Sequence, residues 1–97
     1  MIIIKLEKVD DFVAFLDRRI GNEIFYEFSD SGDPLGTTAF LYYLAKLDGL
    51  TVIYQVDLFF PKVHDKTEIK KKLDEFEFGQ IRLVPGKLRE IIMSISS

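Results

Sequence analysis

Few residues in this chain could do chemistry, and they stand far apart. His64 is the single histidine and there is no cysteine. Thiolate catalysis, a cysteine-ligated zinc, a disulfide framework and histidine clusters for metals are therefore excluded. His64 precedes Asp65 at the head of a helical pattern. As a general base it would need a nucleophile and an orienting partner, and no spacing in the sequence supplies either. It reads as a surface residue beside a helix cap.

The stretch Asp30-Ser31-Gly32-Asp33-Pro34-Leu35-Gly36-Thr37-Thr38 has the look of a phosphate or calcium loop. A P-loop places four residues between its glycines and a lysine before Ser/Thr. Here three residues separate Gly32 from Gly36, and Thr37 follows with no lysine. In a calcium loop Gly32 would occupy the place of the second ligand. The segment reads as a turn between strands.

Lys70-Lys71-Lys72 is the nearest approach to a basic patch. Consecutive helical residues diverge by about 100°, so these lysines fan around a surface. Glu68 precedes Lys72 by four residues, and Asp74 and Glu75 follow Lys70 and Lys71 at the same interval, which favours intrahelical pairs. Lys66 and Lys70 share one side and are the two candidate phosphate contacts. No catalytic residue set, cofactor or metal is expected, and an enzyme is not the favoured reading.

Ninety-seven residues fit one domain spanning 1–97. The apolar fraction is 47%, enough for a core without metals or disulfides. Net charge is −3, which disfavours a general grip on nucleic-acid phosphates. Residues 1–61 carry five Lys/Arg against ten Asp/Glu, whereas residues 62–97 carry eight against six. Only the C-terminal third could present a basic surface. The first residues are too soon interrupted by charge for a signal peptide, and no apolar run approaches the ~20 residues of a membrane span. With no cysteine either, the cytoplasm is the expected compartment.

The elements that would position these residues follow from periodicity. Ile2–Leu6 reads as a buried first strand. Val9, Phe12, Val13, Leu16 and Ile20 keep helical spacing over about 10–20, with Asp10 as N-cap, Arg18 and Arg19 near the negative end, and Gly21 as the stop. Residues 23–29 form an aromatic-rich strand. Two long strand patterns, 37–47 and 50–60, then meet at Asp48-Gly49, the pair that a type I′ turn prefers. Asp65 and Glu68 have capping-box spacing before a helix over about 65–77 that Gly79 closes. A short strand covers 80–84. Leu88, Ile91, Ile92 and Ile95 favour a last helix over a strand. The expected fold is α+β in the order β-α-β-β-β-α-β-α, a mixed sheet centred on the 37–60 hairpin in two or three layers.

A turn at Asp48-Gly49 makes every cross-strand pair sum to 97. One hairpin face then carries Ala39, Leu41, Tyr43, Ala45 and Leu47 against Leu50, Val52, Tyr54, Val56 and Leu58, a core face. The other carries Phe40, Tyr42, Leu44, Ile53, Gln55, Asp57 and Phe59. Its apolar members make a patch on the order of several hundred Å², more than most monomers leave in water. One of the chain's own helices, most simply the C-terminal one, would cover it. Otherwise a second copy or another protein would, or a ligand would sit across Tyr42, Gln55 and Asp57. Phe40 and Tyr42 could also stack single-stranded bases, but the basic surround that this needs is missing.

From residue 10 to 84 the order helix, three strands, helix, strand resembles the core of restriction-endonuclease-like nucleases, archaeal Holliday-junction resolvases among them. That resemblance implies an acidic residue on the first hairpin arm and an acid-x-Lys pair on the second. Those places fall near Tyr42, Gln55 and Asp57, where Tyr and Gln replace acids and Asp replaces lysine. It therefore implies such a core without an active site. A ferredoxin-like sandwich is a second architecture, with one middle strand as an addition. A double-stranded-RNA-binding domain shares helix, three strands, helix, but lacks here its glycine-flanked lysine motif.

The function expected from these residues is a non-catalytic protein-interaction or self-associating module. Its expected interface is Phe40, Tyr42, Leu44, Ile53, Gln55 and Phe59, with a homo-oligomer or another protein as partner. The alternative is a nucleic-acid-associated protein, a nuclease-fold relative lacking catalytic residues. A membrane is not expected as a partner.

Overall fold

The structure, a computed structural model, describes residues 1–16, 23–29, 34–76, 78 and 81–96. In chain order its elements are β1 (Ile2–Leu6), α1 (Val9–Leu16), β2 (Glu23–Phe28), β3 (Gly36–Leu47), β4 (Leu50–Pro61), α2 (Lys66–Asp74), β5 (Arg82–Pro85) and α3 (Leu88–Ser96). This is a small α+β domain built on one mixed sheet in the order β1-β4-β3-β2-β5.

The hairpin is the spine of that sheet. Asp48 and Gly49 both take positive φ, 53° and 80°, as a type I′ turn demands. The register runs from Leu47↔Leu50 through Leu44↔Ile53 to Gly36↔Pro61 without a slip. At the far end Gly36 has φ 151°, and a Cβ there would run into the Phe60 carbonyl oxygen. Glycine is what lets the two arms close on each other. β2 joins β3 antiparallel, while β1 and β5 add as parallel strands on β4 and β2.

Helices cover both faces. Phe12 and Leu16 of α1 and Ile69 and Leu73 of α2 are buried with Ala39, Leu41, Tyr43, Val52, Tyr54 and Val56, the expected core face. Phe12 meets Phe78 edge-on, with ring centroids 6.2 Å apart. Leu47 and Leu50, expected in that core, are 41% and 40% exposed at the hairpin tip, beyond the reach of the helices. On the opposite face Leu88, Ile91, Ile92 and Ile95 of α3 pack on Tyr42 and Ile53. The stretch is a helix, as its 3.6-residue spacing favours.

Several expected boundaries move. α1 starts at Val9, so Asp10 lies in its first turn, where a carboxylate still suits the helix dipole. Residues 17–20 and the expected stop at Gly21 lie outside the described residues, as do Asp30–Asp33 and Gly79. Asp65 does cap α2, accepting the Thr67 N–H at 2.9 Å. That helix ends at Asp74 because the Glu75 N–H turns back to the Lys72 carbonyl and the Phe76 N–H to the Leu73 carbonyl, which tightens its last turn. β5 begins at Arg82 and takes in Pro85.

β1 requires the largest correction. It is an edge strand, and Ile2, Ile3 and Ile4 are 45%, 43% and 38% exposed rather than buried. The sheet is wider than its helical cover. Five strands about 4.8 Å apart span about 19 Å, while a helix is about 10 Å across. Among the described residues, one face has two helices and the other has one.

Candidate functional site

The expected interface does not present itself to solvent. Ile53 is fully buried and Tyr42 is 3% exposed, both beneath α3, while Phe40 and Leu44 pack into the same cluster. The helix buries its own apolar stripe there, so the patch that demanded a cover receives one from its own chain. As an open surface formed by Phe40, Tyr42, Leu44 and Ile53, the interface is withdrawn. Phe59 alone among its apolar members stays open, 49% exposed at the far end of the hairpin.

A polar lock holds α3 in place. Glu27 of β2 accepts the Tyr42 hydroxyl at 2.8 Å and the Leu88 backbone N–H at 2.7 Å through the same carboxylate oxygen, Oε2. That N–H belongs to the first turn of α3, where donors lack an intrahelical partner. Burial first, then the Glu27 hydrogen bond and charge, then the Asp57 charge push the Tyr42 phenol well above the ordinary tyrosine range. Tyr42 is thus a neutral donor at any physiological pH.

Gln55 and Asp57 do come together. Gln55 Nε2 donates to Asp57 Oδ1 at 2.8 Å, and Lys5 of β1 reaches Asp57 Oδ2 at 2.8 Å. The Tyr42 hydroxyl is committed to Glu27 instead. Among the described residues, no group of three or more acidic or histidine side chains is placed to hold a metal.

The remaining candidates stand singly. His64 is exposed ahead of α2. Lys66 is exposed in the first turn of that helix, whereas Lys70 is held by Asp74 at 2.7 Å and lies 5.7 Å from the Tyr26 ring centroid. The two lysines therefore do not make an open pair for phosphate. An open groove of about 640 Å³ passes Lys70 and Arg82, but Glu23 already holds Arg82 at 2.8 Å. A cleft of about 250 Å³ between α3 and Phe25, Leu44 and Pro85 falls below the usual range for ligand pockets.

What remains unmatched is the β1 edge. A strand at the rim of a sheet turns alternate N–H and C=O groups outward, and proteins usually guard them with charge, proline, a bulge or a short strand. The opposite rim has two such guards, because β5 is four residues long and ends with Pro85, while Arg82 is held by Glu23. β1 is five residues long and contains no proline. Its register against β4 is unbroken from Ile2↔Val52 to Leu6↔Val56, so no bulge turns it away. Its single charge, Lys5, is neutralised from within by Asp57. Ile2, Ile4 and Leu6 share the α1 face, in line with the exposed Leu47 and Leu50, while Ile3 shares the α3 face with Ile53.

Sequence reasoning missed this edge because an Ile-Ile-Ile run reads alike for a central strand and an uncovered one. The signal available was the helix count, since the single helix assigned to the outer hairpin face cannot cover a five-stranded sheet. Comparison with protein-family models, curated proteins and solved structures finds no match to this chain.

Proposed function

We propose that this domain is a non-catalytic protein-interaction module that binds by accepting a strand at its β1 edge. The observation that carries the reading is the contrast between the two rims of one sheet. β5 is short and blunted by Pro85, whereas β1 leaves Ile2, Ile3 and Ile4 exposed along an unbroken, outward-facing backbone. In strand addition the main chain supplies hydrogen bonds and alternate side chains supply the apolar contacts. β1 offers both.

The test is an end-blocked strand-forming peptide of alternating valine and threonine, labelled and extended by solubilising lysines, titrated with the intact domain. Saturable binding that disappears in Ile4→Lys, with the far-ultraviolet spectrum unchanged, supports the reading. No binding at any concentration up to the millimolar range removes it.

A further inference from the structure

The partner at this edge can be named from the strand itself. Resting on the reading above, we infer that the occupant of the β1 edge is β1 of a second copy, antiparallel and centred on Ile4. Two five-stranded sheets then continue across a two-fold axis as one.

Three features of β1 select this arrangement. The strand is Ile2–Leu6, so Ile4 is its midpoint. Only the antiparallel register in which positions sum to 8 pairs all its residues: Ile2 with Leu6, Ile3 with Lys5, Ile4 with Ile4. Directly opposed residues share a face, and this register keeps every side chain on its own. Ile2, Ile4 and Leu6 meet their symmetry mates in one apolar stripe on the α1 face.

Charge points the same way. A shift to a sum of 10 would set Lys5 against Lys5, and like charges directly opposite are destabilising. In the centred register Lys5 lies across from Ile3, its stem covers that side chain, and its ammonium stays on the chain's own Asp57 at 2.8 Å. A shift to a sum of 6 leaves Leu6 without a mate. The two-fold contact is self-complementary and closes on itself, as isologous dimers do. A strand pair this short buries less than the ~800 Å² per partner of a standard interface, so association is to be read at 100 µM and above.

Because the chain has no cysteine, single cysteines report the register cleanly. In the centred register the two Ile4 Cα atoms lie about 4.5–5.5 Å apart, inside disulfide reach. The two Ile3 positions are offset by two residues, or about 7 Å along the strand, and the two Ile2 positions by about 14 Å. Under mild oxidation at 100 µM, Ile4→Cys is expected to cross-link to itself at least tenfold faster than Ile2→Cys or Ile3→Cys. Ile2→Cys and Leu6→Cys are expected to cross-link when mixed and not alone. Sedimentation equilibrium should give a dimer for the parent and a folded monomer for Ile4→Lys.

Equal cross-linking at positions 2, 3 and 4 would overturn the antiparallel register. A parent that stays monomeric at 500 µM while still binding the valine–threonine peptide would overturn the second copy as partner and leave strand addition standing. A dimer that persists in Ile4→Lys would place the contact elsewhere and remove both.

Discussion

The Tyr42 hydroxyl donates to Glu27 Oε2 at 2.8 Å, and that same oxygen receives the Leu88 N–H. One carboxylate of β2 therefore ties the hairpin beneath α3 to the first turn of the helix above it. Shedding that cover breaks the Leu88 bond and exposes the Tyr42–Glu27 pair, which the sheet keeps within itself.

Tyr42→Phe removes the hydroxyl and leaves Glu27 with Leu88. A hydrogen bond to a charged acceptor is worth about 1.5–3 kcal/mol, so the loss should fall near the lower figure. Glu27→Ala strands both donors and should cost more than Tyr42→Phe. Urea unfolding gives the ranking, and amide exchange across residues 88–96 should quicken more in Glu27→Ala than in Tyr42→Phe. Equal costs would mean that Leu88 finds another acceptor.

The same pair sets a response to alkali. The folded-state pKa of Tyr42 is raised, so on unfolding the phenol is released to an ordinary pKa of about 10. Below pH ~10 both states hold the proton and the Tyr42 contribution is present in full. Above it the unfolded chain gives up a proton that the folded chain keeps, and stability falls by up to about 1.4 kcal/mol per pH unit. The slope of unfolding free energy between pH 9.5 and 11.5 should be shallower in Tyr42→Phe than in the parent by up to that amount.

Much of the fold is legible in residue order, for stated physical reasons. Asp48-Gly49 supplies the two left-handed conformations that a two-residue hairpin requires, and the register to Gly36↔Pro61 then follows by counting. The need for a cover over Phe40, Tyr42, Leu44 and Ile53 is legible too. The C-terminal helix is legible only as the simplest of several covers, because the stripe of Leu88, Ile91, Ile92 and Ile95 states only that some apolar face awaits it. Glu27 decides the matter, and its role as a cap for α3 depends on two residues separated by 61 positions meeting in space. β1 was misread because lateral order in a sheet is not written in any one strand. Ile2–Leu6 has the same local pattern whether it has one neighbour or two.

Burial separates two lysine substitutions on neighbouring strands. Ile53 is fully buried against Tyr42 and α3, so Ile53→Lys places an unpaired ammonium in an apolar layer. The cost should be on the order of 4 kcal/mol, a large part of the ~5–15 kcal/mol that stabilises a typical domain. Ile3 sits beside it in register but is 43% exposed at the rim. Ile3→Lys should change the urea midpoint little while lowering the associated mass. An Ile53→Lys protein as stable as the parent would show that α3 does not hold that face in solution.

The β5 rim offers a final test of why association should stop at two. If β1 pairs with its own copy, both β1 edges are consumed, and the assembly ends on two β5 edges. Those edges are guarded by the missing N–H of Pro85 and by a length of four residues. Arg82→Val with Pro85→Val restores the donor and removes the charge that Glu23 otherwise holds. β5 then becomes a second adhesive edge, and a protein with two such edges grows without closing. Light scattering of the double variant should rise with concentration beyond the dimer mass, and adding Ile4→Lys should return growth to pairs joined through β5. A double variant that stops at the dimer would show that four residues are too few to accept a strand whatever their side chains, making length the guard of that rim.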